Sequence, residues 1–134
     1  MGEGWIYKRV MQHLKMTIDD YIADYKRQVL ICAQVDYADM RSVKRNNTAV
    51  DKMYHIIETV NNTFGQGGIK KFEELLNDNS NKTDAWIAFQ LLDRIKLDKE
   101  VEERALKIIE SIAEGKGTDA IGAKYWLENW KLKK

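Results

Sequence analysis

The chain has 134 residues, with 22 Lys and Arg against 21 Asp and Glu and a single cysteine, Cys32. A formal charge of +1 excludes a global field that would steer the molecule to nucleic acid or anionic lipid. One thiol excludes an internal disulfide, and the apolar runs fall well short of the ~20 residues that cross a bilayer.

No proline occurs, where average usage predicts about seven. Apolar residues recur at three and four rather than at two, the spacing that lines one helical face. These features predict an all-α protein of the reducing cytoplasm, with no membrane association.

Residues 1–15 hold Lys8, Arg9 and Lys15 among scattered apolar residues and lack the continuous hydrophobic stretch of a secretion signal. Ile6, Val10 and Leu14 suggest a short amphipathic helix or an N-terminal extension, with residues 16–134 as a single helical domain. A helix is expected from about Ile18 to Gln34, capped by Thr17 and favoured at its positive end by Asp19 and Asp20. Its stripe is Ile18, Tyr21, Ile22, Tyr25, Val29 and Cys32. A second long helix carries Met40, Val43, Val50, Tyr54, Ile57 and Phe64, with polar Asn46-Asn47-Thr48 as a candidate break. Gly65, Gly67 and Gly68 are expected to end it, because glycine readily adopts the left-handed conformation that closes helices.

A repeat begins at Ile69. One arm carries Ile69, Phe72, Leu75 and Leu76, and a later arm carries Leu106, Ile109, Ile112 and Ala113 at the same internal spacing. Each arm leads through a polar loop to Thr-Asp and a second helix, one starting Thr83-Asp84-Ala85-Trp86 and the other Thr118-Asp119-Ala120-Ile121. Thr83 and Thr118 are expected as N-caps, and Ala85, Ala88, Ala120 and Ala123 as sites of close helix approach. Neither hairpin buries its apolar face alone. The two are therefore expected to stack, with a period of about 35 residues, as a HEAT-like α-α superhelix of about five to six helices.

The run from Met16 onward, above all Gly117-Thr118-Asp119-Ala120-Ile121-Gly122-Ala123-Lys124-Tyr125-Trp126-Leu127-Glu128-Asn129-Trp130-Lys131, resembles an uncharacterised bacterial family of short HEAT-like proteins. The resemblance covers about nine-tenths of the chain and rests on a packing motif. It implies two leading helices, a hairpin and a terminal Trp-rich helix, and it brings no catalytic residues. In size and fold the chain also resembles small helical immunity proteins that neutralise bacterial toxins.

Catalytic or metal chemistry needs converging ligands, and besides its carboxylates the chain offers only His13, His55 and Cys32. Cys32 continues an apolar stripe, as a small hydrophobe does. Gly115-Lys116-Gly117-Thr118 departs from a phosphate-binding loop, because Glu110 stands at its first glycine and Gly117 separates Lys116 from Thr118. An EF-hand starting at Asp78 would need glycine at Thr83 and an acid at Phe89. No enzyme activity and no cofactor are expected.

The remaining candidates are aromatic. Trp86, Gln90, Asp93 and Arg94 on one second helix, with Tyr125 and Asn129 on its counterpart, form the expected partner-binding strip, since second helices in solenoids line a functional surface. The expected function is non-enzymatic binding of another protein, as an immunity or antitoxin-like antagonist. The alternative is a nucleic-acid-binding HEAT-like protein using Lys44, Arg45, Lys70, Lys71, Lys131, Lys133 and Lys134, a reading that the interspersed acids disfavour.

Overall fold

The computed structural model describes residues 16–133; the helix expected over residues 6–14, and His13, lie outside the described residues. Among the described residues there are five α-helices and no strand. They are α1 (Ile18–Ala33), α2 (Met40–Glu73), α3 (Thr83–Arg94), α4 (Lys99–Ala113) and α5 (Thr118–Lys133), with 3₁₀ turns at Glu74–Asn77 and Ser80–Lys82. The protein is all-α, as its sequence predicts. It divides between Gly68 and Ile69 into two compact units.

In the first unit α1 begins at a capping box. The Thr17 N–H donates to Asp20 Oδ2 at 2.9 Å, and the Asp20 N–H donates to Thr17 Oγ1 at 3.2 Å, so two backbone donors left over at the helix start are satisfied reciprocally. Tyr21, Tyr25, Val29 and Cys32 are buried, as their spacing predicts, and Gln28 joins them. α1 and α2 run antiparallel. At one end the Tyr21 and Phe64 rings meet edge-on, with centroids 6.1 Å apart; at the other, Cys32 Sγ lies 3.9 Å from the Asn46 carbonyl and the Asp36 N–H donates to Ser42 Oγ at 2.8 Å. Burial pushes the Tyr25 phenol well above its ordinary pKa, with Tyr54 and Cys32 adding to the shift. Burial also raises the Cys32 thiol.

α2 differs from its expected form in two respects. It passes through Asn46-Asn47-Thr48 without interruption, because Asn47 and Thr48 are exposed while Ala49, Met53, Ile56, Ile57 and Val60 keep an inward three-and-four rhythm. The buried stripe is thus turned from the expected one, leaving Met40 69% exposed and Val43, Val50 and Tyr54 half-buried. Small Ala49 and flexible Met53 fill the seam in place of the branched and aromatic residues beside them. The second difference is at the glycines. Gly65 alone breaks the helical path, at φ 63° and ψ −148°, and helical structure resumes through Gly67 and Gly68 to Glu73. At Gly68 a Cβ would stand 2.7 Å from Phe64 Cβ, 2.9 Å from Val60 Cγ1 and 3.0 Å from Ile18 Cδ1, so the start of α1 approaches there closely.

In the second unit Ile69, Phe72, Leu75 and Leu76 are all buried, although the arm tightens to a 3₁₀ turn at Glu74. That turn packs on α3, α3 packs on α4, and α4 packs on α5. In the later arm Ile109 and Ala113 are buried, while Leu106 and Ile112 are half-buried.

The capping roles expected of the threonines fall elsewhere. Thr83 is the first residue of α3, is buried, and donates its hydroxyl to the Ser80 carbonyl at 2.7 Å. Asp78 gathers this loop: its carboxylate accepts from the Ser80 N–H at 2.9 Å and from the Ser80 hydroxyl, and its carbonyl accepts from the Asp84 N–H at 2.8 Å. Asn81 and Lys82 take left-handed φ values of 52° and 63° to make the turn. Thr118 likewise opens α5, and the Gly117 carbonyl accepts from the Ile121 N–H at 3.3 Å.

Two predictions follow from these elements. Gly65 lies in a backbone region essentially confined to glycine, and a Cβ there, as at Gly67, meets nothing within 4 Å. In urea unfolding Gly65→Ala is therefore expected to lose about 1–3 kcal/mol, whereas Gly67→Ala gains up to about 1 kcal/mol from reduced chain entropy; equal effects would contradict the assigned kink. Glu73 is shifted up, chiefly by burial and then by Asp98, against the opposing pull of Lys70 and Arg104. A raised folded-state pKa stabilises fully below the ordinary carboxylate range, and that contribution is lost as pH rises through the folded value. Glu73→Gln is thus expected to gain stability over the unsubstituted chain near pH 7 and to lose that gain toward about pH 4; a gain independent of pH would contradict it.

Candidate partner-binding surface

The distinctive chemistry of the second unit lies where α5 meets α3 and α4. Ala120 and Ala123 are buried, and with no side chain beyond Cβ they let the neighbouring helix come close. Two links then fasten α5 to the α3 side. At its start, Lys82 Nζ donates to Asp119 Oδ2 at 2.6 Å. Further along, the indole N–H of Trp126 donates to Asp93 Oδ1 at 3.1 Å, and the same ring meets Phe89 edge-on, with centroids 5.4 Å apart and planes at 79°. Trp130 stacks on Trp126, with centroids 5.2 Å apart and planes at 12°. Because both ends match in chain direction, α3 and α5 run parallel.

The two links carry unequal weight. Both Lys82 and Asp119 are largely exposed, and an exposed ion pair contributes at most about 1 kcal/mol. Each aromatic pair contributes about 0.5–1.5 kcal/mol beyond the area it buries, so the Trp126 cluster dominates the attachment.

The opposite side of α5 is also apolar. Ile121 is 56%, Tyr125 66% and Leu132 84% exposed. At 100° per residue these three fall within about 40° of one another, with Glu128 and then Lys124 beside them on one flank. A helix that is apolar on both sides is one that buries both. α5 therefore presents an apolar face that its own unit leaves uncovered.

Of the residues predicted as a strip, Tyr125 and Asn129 lie exposed one turn apart on α5. Asp93 and Arg94 are exposed on α3, with one Asp93 oxygen taken by Trp126. Trp86 is half-buried. Gln90 is only 1% exposed and belongs to the interior. The buried face of α3 runs through Ile87, Ala88, Gln90, Leu91 and Leu92, with Ala85 only half-buried, because α3 is packed by the 3₁₀ turn on one side and by α4 on another. Ile121 and Leu132 were missed as members of an exposed face, although their spacing from Tyr125 in the sequence is the signal for it.

Lys44 and Arg45 lie exposed in the first unit, Lys70, Lys71, Lys131 and Lys133 lie exposed in the second, and Lys134 falls outside the described residues. His55 is exposed on α2. Among the described residues no group of three or more His, Cys, Asp or Glu is placed to hold a metal ion, and no helix is long and apolar enough to cross a membrane. No known family model, curated protein or solved structure matches the chain.

The Trp126 cluster yields a direct test. Trp126→Ala removes the Phe89 and Trp130 contacts together with the Asp93 bond and is expected to destabilise the second unit by about 2–4 kcal/mol. Asp119→Asn is expected to change stability by less than about 1 kcal/mol. Thermal unfolding followed by circular dichroism measures both, and a larger loss at Asp119 would contradict this ranking.

Proposed function

We propose that the chain is a non-enzymatic, HEAT-like protein-binding module of the cytoplasm, acting as an immunity or antitoxin-like antagonist of a bacterial protein. The single observation that carries this reading is α5, a helix packed by one apolar side with Ile121, Tyr125 and Leu132 left outward on the other. Contiguous exposed apolar residues rimmed by charge mark contact surfaces. Tyrosine in particular supplies contact area at low entropic cost together with a polar tip. Asn129, one turn from Tyr125, borders this face on α5, and Trp86, Asp93 and Arg94 on the α3 side of the same unit are proposed as a second contact region.

Burying a side chain of the size of Ile, Leu or Tyr contributes about 1.5–3 kcal/mol, so one charge placed at the centre of the face costs tenfold or more in affinity. The full chain is immobilised and a nuclease-treated native lysate is passed over it, in parallel with Tyr125→Asp and Trp86→Ala. The expected result is a defined polypeptide retained by the unsubstituted chain and lost by at least tenfold from Tyr125→Asp, with a smaller loss from Trp86→Ala. Equal retention by all three proteins, or retention seen only from a parallel lysate left without nuclease, overturns the proposal.

A further inference from the structure

We infer that the outer face of α5 is covered by a second copy of this chain when no other partner holds it, the two α5 helices pairing antiparallel about a two-fold axis beside Trp126. The inference rests on the reading of that face as a recognition surface and names its resting occupant.

The order of residues along the face is self-complementary on reversal. Reading from Thr118 to Lys133, the outward positions are apolar Ile121, basic Lys124, aromatic Tyr125, acidic Glu128 and apolar Leu132, all exposed. A two-fold interface requires that a patch be complementary to itself with the order reversed. Reversal about a point next to Trp126 sets Ile121 against Leu132 of the second copy, and the reciprocal contact follows by symmetry. It sets Lys124 against Glu128 of the second copy, again twice, and it brings the two Tyr125 rings side by side at the axis. The angular positions agree. Ile121 and Leu132 both lie close to the midline of the face, whereas Lys124 and Glu128 both lie to the same side of it, which is where a two-fold perpendicular to the helix pair superimposes them. A parallel pairing in register would instead oppose Lys124 to Lys124 and Glu128 to Glu128, a like-charge arrangement that disfavours association.

The extent of the face sets the strength. A helix of 16 residues is about 24 Å long, and one helix laid on another falls at or below the ~1,200 Å² lower bound of standard interfaces. Pairing is therefore weak and reversible, in the micromolar range, and a tighter foreign partner displaces it.

The test uses the full chain in sedimentation equilibrium over a range of micromolar concentrations, with Lys124→Glu and Glu128→Lys prepared separately. Each substitution alone sets like charges across the axis, so each variant is expected to stay monomeric where the unsubstituted chain doubles in mass. An equimolar mixture of the two variants restores opposite charges across the axis without altering either chain, and the mixture is expected to regain the dimer mass. This complementation separates contact between copies from effects within one helix, since any weakening of α5 by neighbouring like charges persists in the mixture. A chain that is monomeric throughout, or a dimer unmoved by either substitution, or variants that fail to complement, overturns the inference. A monomeric chain that still loses its captured protein on Tyr125→Asp overturns the self-pairing and leaves the proposed function standing. A complementing dimer whose Tyr125→Asp variant retains the captured protein supports the pairing and removes the proposed function.

Discussion

The attachment of α5 through Trp126 is the interaction on which the outward apolar face depends. One indole makes three contacts: an edge-on contact to Phe89, a stack with Trp130, and a hydrogen bond to Asp93. Ala120 and Ala123 remove bulk from the same side of the helix. The aromatic cluster fixes rotation as well as position, because an edge-on ring and a directed N–H bond each tolerate little turning. With Trp126 and Trp130 committed inward, the period of the helix leaves Ile121, Tyr125 and Leu132 outward. The outer face is thus a geometric consequence of the inner one.

Such a face has a cost in solution, since a helix apolar on both sides gains from covering both. Covering can come from a foreign protein or from another copy, and both use the same residues. Lys124 and Glu128 lend the face polarity and, in the proposed pairing of copies, set its direction. α3 is held differently. Packed by the 3₁₀ turn and by α4, it draws even Gln90 into the interior, so equivalent positions on the two repeated helices, Gln90 and Tyr125, have opposite fates.

Much of the fold was legible because periodicity reports burial directly. The α1 stripe and the Thr17 start came from spacing and cap chemistry, whereas the division into two units between Gly68 and Ile69 was not expected of residues 16–134. The departures from the expected pattern have physical causes. In α2 the seam uses Ala49 and Met53, which lack the bulk that draws attention in a sequence, and a polar run on the solvated face does not break a helix. Thr83 is not the cap of α3, because Asp78 and two left-handed residues, Asn81 and Lys82, gather the turn from outside the motif. The repeat singles out Tyr125 and Asn129, and both are exposed on α5. Gln90 could not be excluded without knowing how many neighbours surround α3, and the Trp126–Asp93 bond joins residues 33 positions apart, a distance over which spacing is silent.

The claim that α5 is a fixed element rather than a frayed terminus is tested most directly by native-state hydrogen exchange resolved along the chain. Protection from Ala123 to Trp130 comparable with that of Ile87 to Leu92 is the predicted result. Free exchange across α5 while α3 and α4 remain protected would contradict it, and with it the outward face on which the proposed recognition depends.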